Sequence, residues 1–365
     1  MSTKYKILIM GASYGSLLGI KLALAGHTVK LVCLPAEAEL INKEGAIVRL
    51  PVKGRDGLVE INSKKLPGQL SAGGTTTFKP ADFDLVVLAM QEPQYGSPGV
   101  RELLDAVAKA KVPCMSIMNM PPLPYLEHIS GIDAKACRSC YTDPSVWDNF
   151  DPKLITWCSP DPQAFRPPEE KVNVLQVRLP TNFKSSRFKS EAHTAILRQL
   201  ESDIAAIRFD TGDGKKIELP VKLKVHDSLF VPLAKLSMLL AGNYRCVQKD
   251  KMIPIKEAVH SDIEASRTVY NWVTKVCLSL GADEKDMVPF EKYANAALSL
   301  GSPSSAARAL AAGALYIERA DRLVQAFAAQ KGMQSAVVDR TVALVDGWLE
   351  ANRNKKRASE AASAR

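Results

Sequence analysis

Tyr5-Lys-Ile-Leu-Ile-Met-Gly11-Ala-Ser-Tyr-Gly15-Ser-Leu-Leu-Gly-Ile-Lys-Leu-Ala-Leu-Ala-Gly26-His-Thr-Val-Lys-Leu-Val-Cys-Leu34 packs three elements into about thirty residues. Tyr5–Met10 reads as a buried strand, because an unbroken apolar run suits a strand covered on both faces. Ser16–Ala25 reads as a helix whose Leu17, Leu18, Ile20, Leu22 and Leu24 supply apolar surface, and Gly26 ends it as a C-terminal glycine does. Thr28–Leu34 is a second apolar strand. A strand, a helix and a strand at this spacing form a βαβ unit, whose crossover makes the two strands parallel.

The turn Gly11-Ala12-Ser13-Tyr14-Gly15 lies between the first strand and the first helix. A dinucleotide needs a tight turn there, backbone close to the pyrophosphate, and a helix N-terminus aimed at its charge. Gly11 and Gly15 serve the turn, Ser13 stands where a second glycine is usual, and the spacing is one residue tighter than G-x-G-x-x-G. These five residues are the candidate cofactor-binding loop; a plain βα turn without a ligand is the alternative.

The alternation continues with strands at Phe83–Met90 and Val112–Met118 around a helix at Val100–Ala110. Lys153–Cys158 and Val172–Leu179 read as later strands of the same sheet or of an appended one, and His193–Ile207 as an amphipathic helix. The turn-rich Asp210-Thr-Gly-Asp-Gly-Lys is the expected boundary. Beyond Val221 strand alternation nearly vanishes, and helices are expected at Leu229–Gly242, Lys256–Leu280, Ser304–Lys331 and Ala336–Leu349. The expected plan is α/β: a Rossmann-type parallel-sheet domain over 1–215, an all-helical domain over 220–350, and a basic flexible tail over 351–365.

Composition narrows the function. The 365 residues are 46% apolar and 24% charged, which suits two globular domains. The longest apolar stretches, such as Lys6–Met10 and Leu85–Met90, are strand-sized and far short of a membrane span. The N-terminal residues run straight into a strand, with no signal peptide expected. Seven dispersed cysteines do not read as a disulfide framework, so a cytoplasmic setting is expected. The net charge of +9 does not read as a nucleic-acid footprint, because the segment after Leu349 alone carries five basic and two acidic residues. Cys137 and Cys140 have C-x-x-C spacing without a second ligand pair, and the five histidines form no metal pair, so no metal is expected.

Ile7-Leu-Ile-Met-Gly-Ala-Ser-Tyr-Gly-Ser-Leu-Leu-Gly19, then Leu24-Ala-Gly-His-Thr-Val-Lys-Leu-Val32, resembles the opening of the ketopantoate reductases, whose Gly-Ala-Gly-Ala-Ile-Gly-Ser-Leu-Leu-Gly loop is one residue longer. Pro232-Leu-Ala-Lys235-Leu-Ser-Met-Leu-Leu-Ala-Gly-Asn243 resembles the helix that opens their second domain. The resemblance implies a helical domain like the C-terminal domain of 6-phosphogluconate dehydrogenase, and reduction of a 2-oxo acid substrate by NADP(H) rather than NAD(H). It further implies a nicotinamide in the cleft between domains, and a homodimer.

Residue by residue, the resemblance makes Lys235 the general acid. Asn243 matches the second of two asparagines on that helix, while Leu239 replaces the first. Asn119 matches an asparagine that touches both cofactor and substrate at the carboxyl end of the sheet, although Met120-Pro121-Pro122 departs from the family's Gly-Met-Gly. Ser304 and Ser305 match paired substrate-binding serines. Glu318 matches a glutamate that serves catalysis and the cofactor. Gln91 stands where a cofactor-side lysine is usual, and Leu34 where an arginine reads the 2′-phosphate, with Lys43 as another basic candidate. Each has a plainer reading: a lysine snorkelling from a helix edge, an asparagine serving its own turn, a serine capping a helix, a solvated helical glutamate. A dehydrogenase for a larger hydroxy or amino acid, and a nucleotide-binding protein without catalysis, are the alternatives for the whole chain.

Overall fold

The computed structural model describes residues 3–212 and 214–363. The sheet begins with β1 (Lys6–Met10), in which Ile7, Leu8, Ile9 and Met10 are all fully buried. A strand so covered sits inside a parallel sheet, and β1 pairs in parallel with β2 (Thr28–Val32) on one side and β6 (Leu85–Leu88) on the other. Between β2 and β6 the chain forms α2 (Pro35–Glu44), β3 (Ile47–Pro51), β4 (Leu58–Asn62) and β5 (Gln69–Gly73). The helix α3 (Val100–Ala110) then leads to β7 (Cys114–Ile117), and β8 (Ile155–Ser159) follows after a long irregular connection. The strands β5, β2, β1, β6, β7 and β8 lie side by side and all parallel, the doubly wound order.

β11 (Phe183–Ser186) and β14 (Leu223–His226) extend this sheet, with β11 antiparallel to β8 and parallel to β14. A second, four-stranded sheet runs β4-β3-β10-β9, with β9 at Gln163–Phe165 and β10 at Val174–Leu179. Of the two late strands read in sequence, Lys153–Cys158 thus joins the main sheet and Val172–Leu179 the second one. α4 (Glu191–Ala206) follows, and β12 (Phe209–Asp210) with β13 (Lys216–Ile217) makes a small hairpin.

α1 (Tyr14–Leu24) touches β1, β2 and β5 of the main sheet, β3 of the second sheet, and α4. Nine of its residues are buried, Lys21 among them, so it lacks the polar face of a surface helix. Lys21 donates to the carbonyl of Pro220, and burial lowers its pKa to about 7. Val221, which follows, adopts φ +63°, a strained conformation for a β-branched residue.

The chain divides into two compact units. The first runs up to Met90 and includes Gln94–Tyr125 and Ser145–Pro232; the second comprises Gln91–Pro93, Leu126–Pro144 and the chain from Leu233 onward. The boundary expected at 215–220 therefore falls at Pro232–Leu233, because β14 completes the main sheet inside a stretch read as nearly without strand alternation. In the second unit the helices are α5 (Ala234–Met238), α6 (Ile255–His260), α7 (Ile263–Ser279), α8 (Phe290–Ala297), α9 (Ser305–Ala311), α10 (Ala320–Gln330) and α11 (Ala336–Ser363). Its only β contact among the described residues is the isolated bridge Val247–Met252.

Three helical expectations are corrected. Lys256–Leu280 is two helices, since Asp262 caps α7 by accepting from the Ala265 N–H at 2.9 Å. Ser304–Lys331 is also two: Gly313, at φ +89°, follows the end of α9, and 314–319 is irregular. The segment 351–363, expected as a flexible tail, continues α11; Ala364 and Arg365 lie outside the described residues. No described helix is long and apolar enough to cross a membrane.

Gly68 locks β5 onto the α1–β2 corner. Its N–H donates to the Ala23 carbonyl at 2.8 Å, and an added Cβ would lie 2.4 Å from the His27 carbonyl oxygen and 2.6 Å from that of Ala23. Both obstacles are backbone and cannot rotate away. Gly68→Ala is therefore expected to destabilise the protein by about 1–3 kcal/mol, the cost of overpacking. Thermal unfolding checks this, and an unchanged melting temperature would mean the corner is looser than described.

Candidate active site

In the first unit the loop after β1 is shaped by its two glycines. Gly11 has φ +106°, and a Cβ there would sit 2.6 Å from the Ala89 carbonyl oxygen, just beyond β6. Its N–H donates to the Val32 carbonyl at 2.9 Å, so the loop is held between the carboxyl ends of β2 and β6. Gly15 has the other glycine duty: its Cβ would press on Ile9 Cγ2 at 2.9 Å, so glycine lets α1 lie close on β1. Ser13 occupies the N-cap position without a side-chain cap bond, while its carbonyl accepts from Ser16 N at 3.0 Å. Ser16 Oγ donates to the Ala12 carbonyl at 2.6 Å. Tyr14 points elsewhere: its hydroxyl donates to the Pro162 carbonyl at 2.8 Å and its ring meets Phe183 edge-on.

A dinucleotide fits this loop. The strand order reverses between β1 and β6, the crevice where ligands of open α/β sheets bind. Gly11 and the N-terminus of α1 lie there, and a helix N-terminus favours the negative charge of a pyrophosphate. Asn119 lies two residues beyond β7, half-buried, at the same carboxyl edge. Trp157 Nε1 donates to the Met118 carbonyl at 2.9 Å and so fixes the backbone leading into Asn119. At the end of β2, Leu34 is 75% exposed, and the acidic residue in the first turn of α2, Glu37, is buried and paired with Arg166. Arg166 is a functional candidate that the sequence reading missed, since it lies 129 positions from Glu37.

In the second unit Lys235 sits on α5 and is only 6% exposed, between Ala234 and Leu236, both buried. The helix does not continue as α. Leu239–Asn243 is a π turn, a form often found at functional sites. Gly242 makes room there for Tyr293, whose hydroxyl donates to the Met238 carbonyl at 3.0 Å. Asn243 is half-buried at the end of the π turn, and its carbonyl accepts from Ser304 Oγ at 2.7 Å. Ser304 is also the cap of α9, accepting from Ala307 N at 3.1 Å, so its hydroxyl has both roles filled. Ser305 is exposed on the first turn.

Glu318 is not on a helix. It lies in the irregular segment before α10, 7% exposed. Tyr244, directly after Asn243, anchors that segment: its hydroxyl donates to the Glu318 carbonyl and accepts from Ala320 N at 3.0 Å. Arg319 grips Asp321 with two bonds of 2.9 and 2.8 Å and Asp346 with a third of 2.6 Å. Glu318 Oε1 in turn accepts from the Glu92 N–H at 3.4 Å. Glu92, also unforeseen, is 2% exposed and accepts from Thr142 N and Thr142 Oγ1, both at 2.9 Å. Burial raises its pKa to about 7 despite those bonds, with nearby Glu318 adding to the rise. Gln91, the residue before it, is exposed. Cys137 and Cys140 are buried free thiols.

No family model matches the chain, and no curated protein sequence does. Solved structures do match. A 2-dehydropantoate 2-reductase from Methylococcus capsulatus is similar at TM-score 0.63 and 12% identity, covering 95% of this chain and 97% of its own. A D-mandelate dehydrogenase in complex with NADH and anilino(oxo)acetate is similar at TM-score 0.61 and 14% identity, covering 95% and 99%. A ketopantoate reductase from Ralstonia eutropha JMP134 is similar at TM-score 0.58 and 15% identity, with the same coverage. The chain has the fold of the ketopantoate reductases over nearly all its length.

Glu92 gives the second unit a pH dependence. Its folded pKa, about 7, lies above its ordinary 4.5, so its stabilising contribution is complete below about 4.5 and is lost as pH rises towards 7. The span corresponds to about 3 kcal/mol. Relative to Glu92→Gln, the wild-type protein is therefore expected to lose stability between pH 4.5 and 8. Parallel melting curves of the two proteins across that range would contradict the assignment.

Proposed function

We propose that this chain is an NAD(P)H-dependent reductase that converts a 2-oxo acid to a 2-hydroxy acid, with NADPH the preferred cofactor and Lys235 the proton donor. The observation that carries the proposal is Lys235 itself, 6% exposed on a helix that turns π within four residues. A snorkelling lysine buries its stem and keeps its amine in water, which does not suit so covered a residue.

In this reading the first unit holds the cofactor diphosphate on Gly11, Ala12, Ser13 and the N-terminal turn of α1, with Tyr14 and Gly15 shaping that turn. When bound, NAD(P)H is the source of the hydride that the carbonyl carbon receives. Lys235 gives a proton to the oxygen as negative charge develops on it. Asn119 and Asn243 orient the substrate carboxylate. Ser304 acts through the Asn243 backbone, so a direct contact from the serine pair falls to Ser305. Glu318, fixed through Tyr244, supports the reacting groups, and Gln91 offers an uncharged hydrogen bond to the cofactor. The homodimer implied by the resemblance belongs to this reading and is tested by sedimentation.

Two experiments test the proposal. Tryptophan fluorescence is expected to report binding of NADPH and NADH, and Gly11→Asp is expected to abolish it, because its Cβ displaces the loop from Ala89 and its carboxylate repels a nearby diphosphate. Unchanged affinity in folded Gly11→Asp would remove the loop from the cofactor site. A turnover screen of aliphatic and aryl 2-oxo acids then identifies a substrate. On it, Lys235→Ala is expected to lower kcat by about 10²–10⁴-fold with cofactor affinity nearly unchanged. Lys235→Arg is not expected to restore activity, because guanidinium is a poor proton donor. A fall below about fivefold would take Lys235 out of the mechanism.

A further inference from the structure

The end of β2 raises a question that the loop at Gly11 does not answer. In a Rossmann unit the residue there reads the adenosine ribose, an acid bonding its hydroxyls or an arginine meeting a 2′-phosphate. Here that place holds Leu34, 75% exposed and unable to do either. Lys43 does not replace it. It lies in the last turn of α2, about 12 Å along the axis from Pro35 at 1.5 Å per residue.

A different part of the first unit reaches this position. The segment Pro162–Arg166, which carries the edge strand β9 of the second sheet, is tied down at both ends. The Pro162 carbonyl accepts from the hydroxyl of Tyr14, the first residue of α1. Arg166 Nη2 donates to Glu37, in the first turn of α2. The segment is thus tied to the first residue of α1 and to the first turn of α2, the helices that follow β1 and β2, and in a Rossmann unit the adenosine half of a dinucleotide lies near the start of these helices.

Resting on the nucleotide-binding reading above, we propose that Arg166 is the residue that selects the cofactor, meeting the 2′-phosphate of NADPH in place of the missing strand-end arginine. The charges decide between this and an NADH site. Glu37 has a side chain only 9% exposed, while that of Arg166 is 34% exposed. The buried carboxylate is thus the holder, and the group presented outward is the cation. Cys33 lies beside the pair, with Glu37 and Arg166 both acting on its thiol, which puts the pair at the end of β2. Among the described residues the only hydrogen bond of Arg166 is to Glu37, which leaves most of its five donors for a phosphate.

The test measures dissociation constants of NADPH and NADH for the wild-type chain, Arg166→Ala and Arg166→Gln, each with a melting temperature. Arg166→Gln can keep a hydrogen bond to Glu37 while removing the charge, so it separates charge from packing. The wild type is expected to prefer NADPH. Both variants are expected to weaken NADPH by about 10–100-fold, the range of a charge-assisted bond, and NADH by less than about threefold. Adding Leu34→Arg to Arg166→Ala is expected to recover much of the NADPH affinity. Equal weakening of both cofactors, tighter binding of both (the segment then covers the site), or a wild-type preference for NADH would each overturn the proposal while leaving the nicotinamide reading intact. A wild type that binds neither cofactor would overturn both together.

Discussion

Gly11 comes so near the end of β6 that even a methyl group would strike the Ala89 carbonyl, and Gly15 lets α1 lie on Ile9 with no β-carbon between them. These two close approaches fix where the N-terminus of α1 points. Any residue other than glycine would push the helix off the sheet or twist the loop away from the strand ends. Because α1 is also covered by α4 and by β3, its position in turn sets the spacing between the two sheets of the first unit. The anchor of Tyr14 on Pro162 exists only because the helix starts where it does.

That dependence explains what was legible in the sequence. The first thirty residues carry their fold in local pattern, so β1, α1, β2 and the loop were readable directly. The segment 35–73 was not. Its strands lack an unbroken apolar run: β3 carries a central Arg49, and β5 reads Gln-Leu-Ser-Ala-Gly. Such strands are defined by partners, β10 for β3 and β2 for β5, rather than by propensity. In the helical unit the composition was readable and the breaks were not: the tyrosine bond at Glu318 is a tertiary fact, while the Asp262 cap, three residues from its partner, is a local signal inside a longer helical pattern. Lys235 could be singled out in sequence as a lysine among apolar neighbours. Glu92 could not, since an acid after a strand carries no sign that Thr142 will enclose it.

In the second unit, hydroxyl groups hold the backbone that follows Lys235. Tyr293 bonds the Met238 carbonyl ahead of the π turn, Ser304 bonds the Asn243 carbonyl at its end, and Tyr244 ties the next residue to the Glu318 segment. These neutral donors hold the backbone on both sides of the widened turn. The charged network of Arg319, Asp321 and Asp346 stays on the far side of Glu318 along the chain and fixes the start of α10.

The second sheet also bears on how the protein comes to exist. β3 is made early and its parallel neighbour β10 late, and the contact from Arg166 to Glu37 spans 129 positions. Contacts of such sequence separation form slowly, because a long loop must close before they repay its lost entropy. On the ribosome, strands β1 and β2 emerge and can begin to pair while β9 and β10 remain unsynthesised. The newborn chain then carries an open edge on β3, where β10 will pair, the kind of edge that invites association with other chains. Synthesis rate and chaperone supply therefore bear on the yield of this protein through its small second sheet as well as through its large first one.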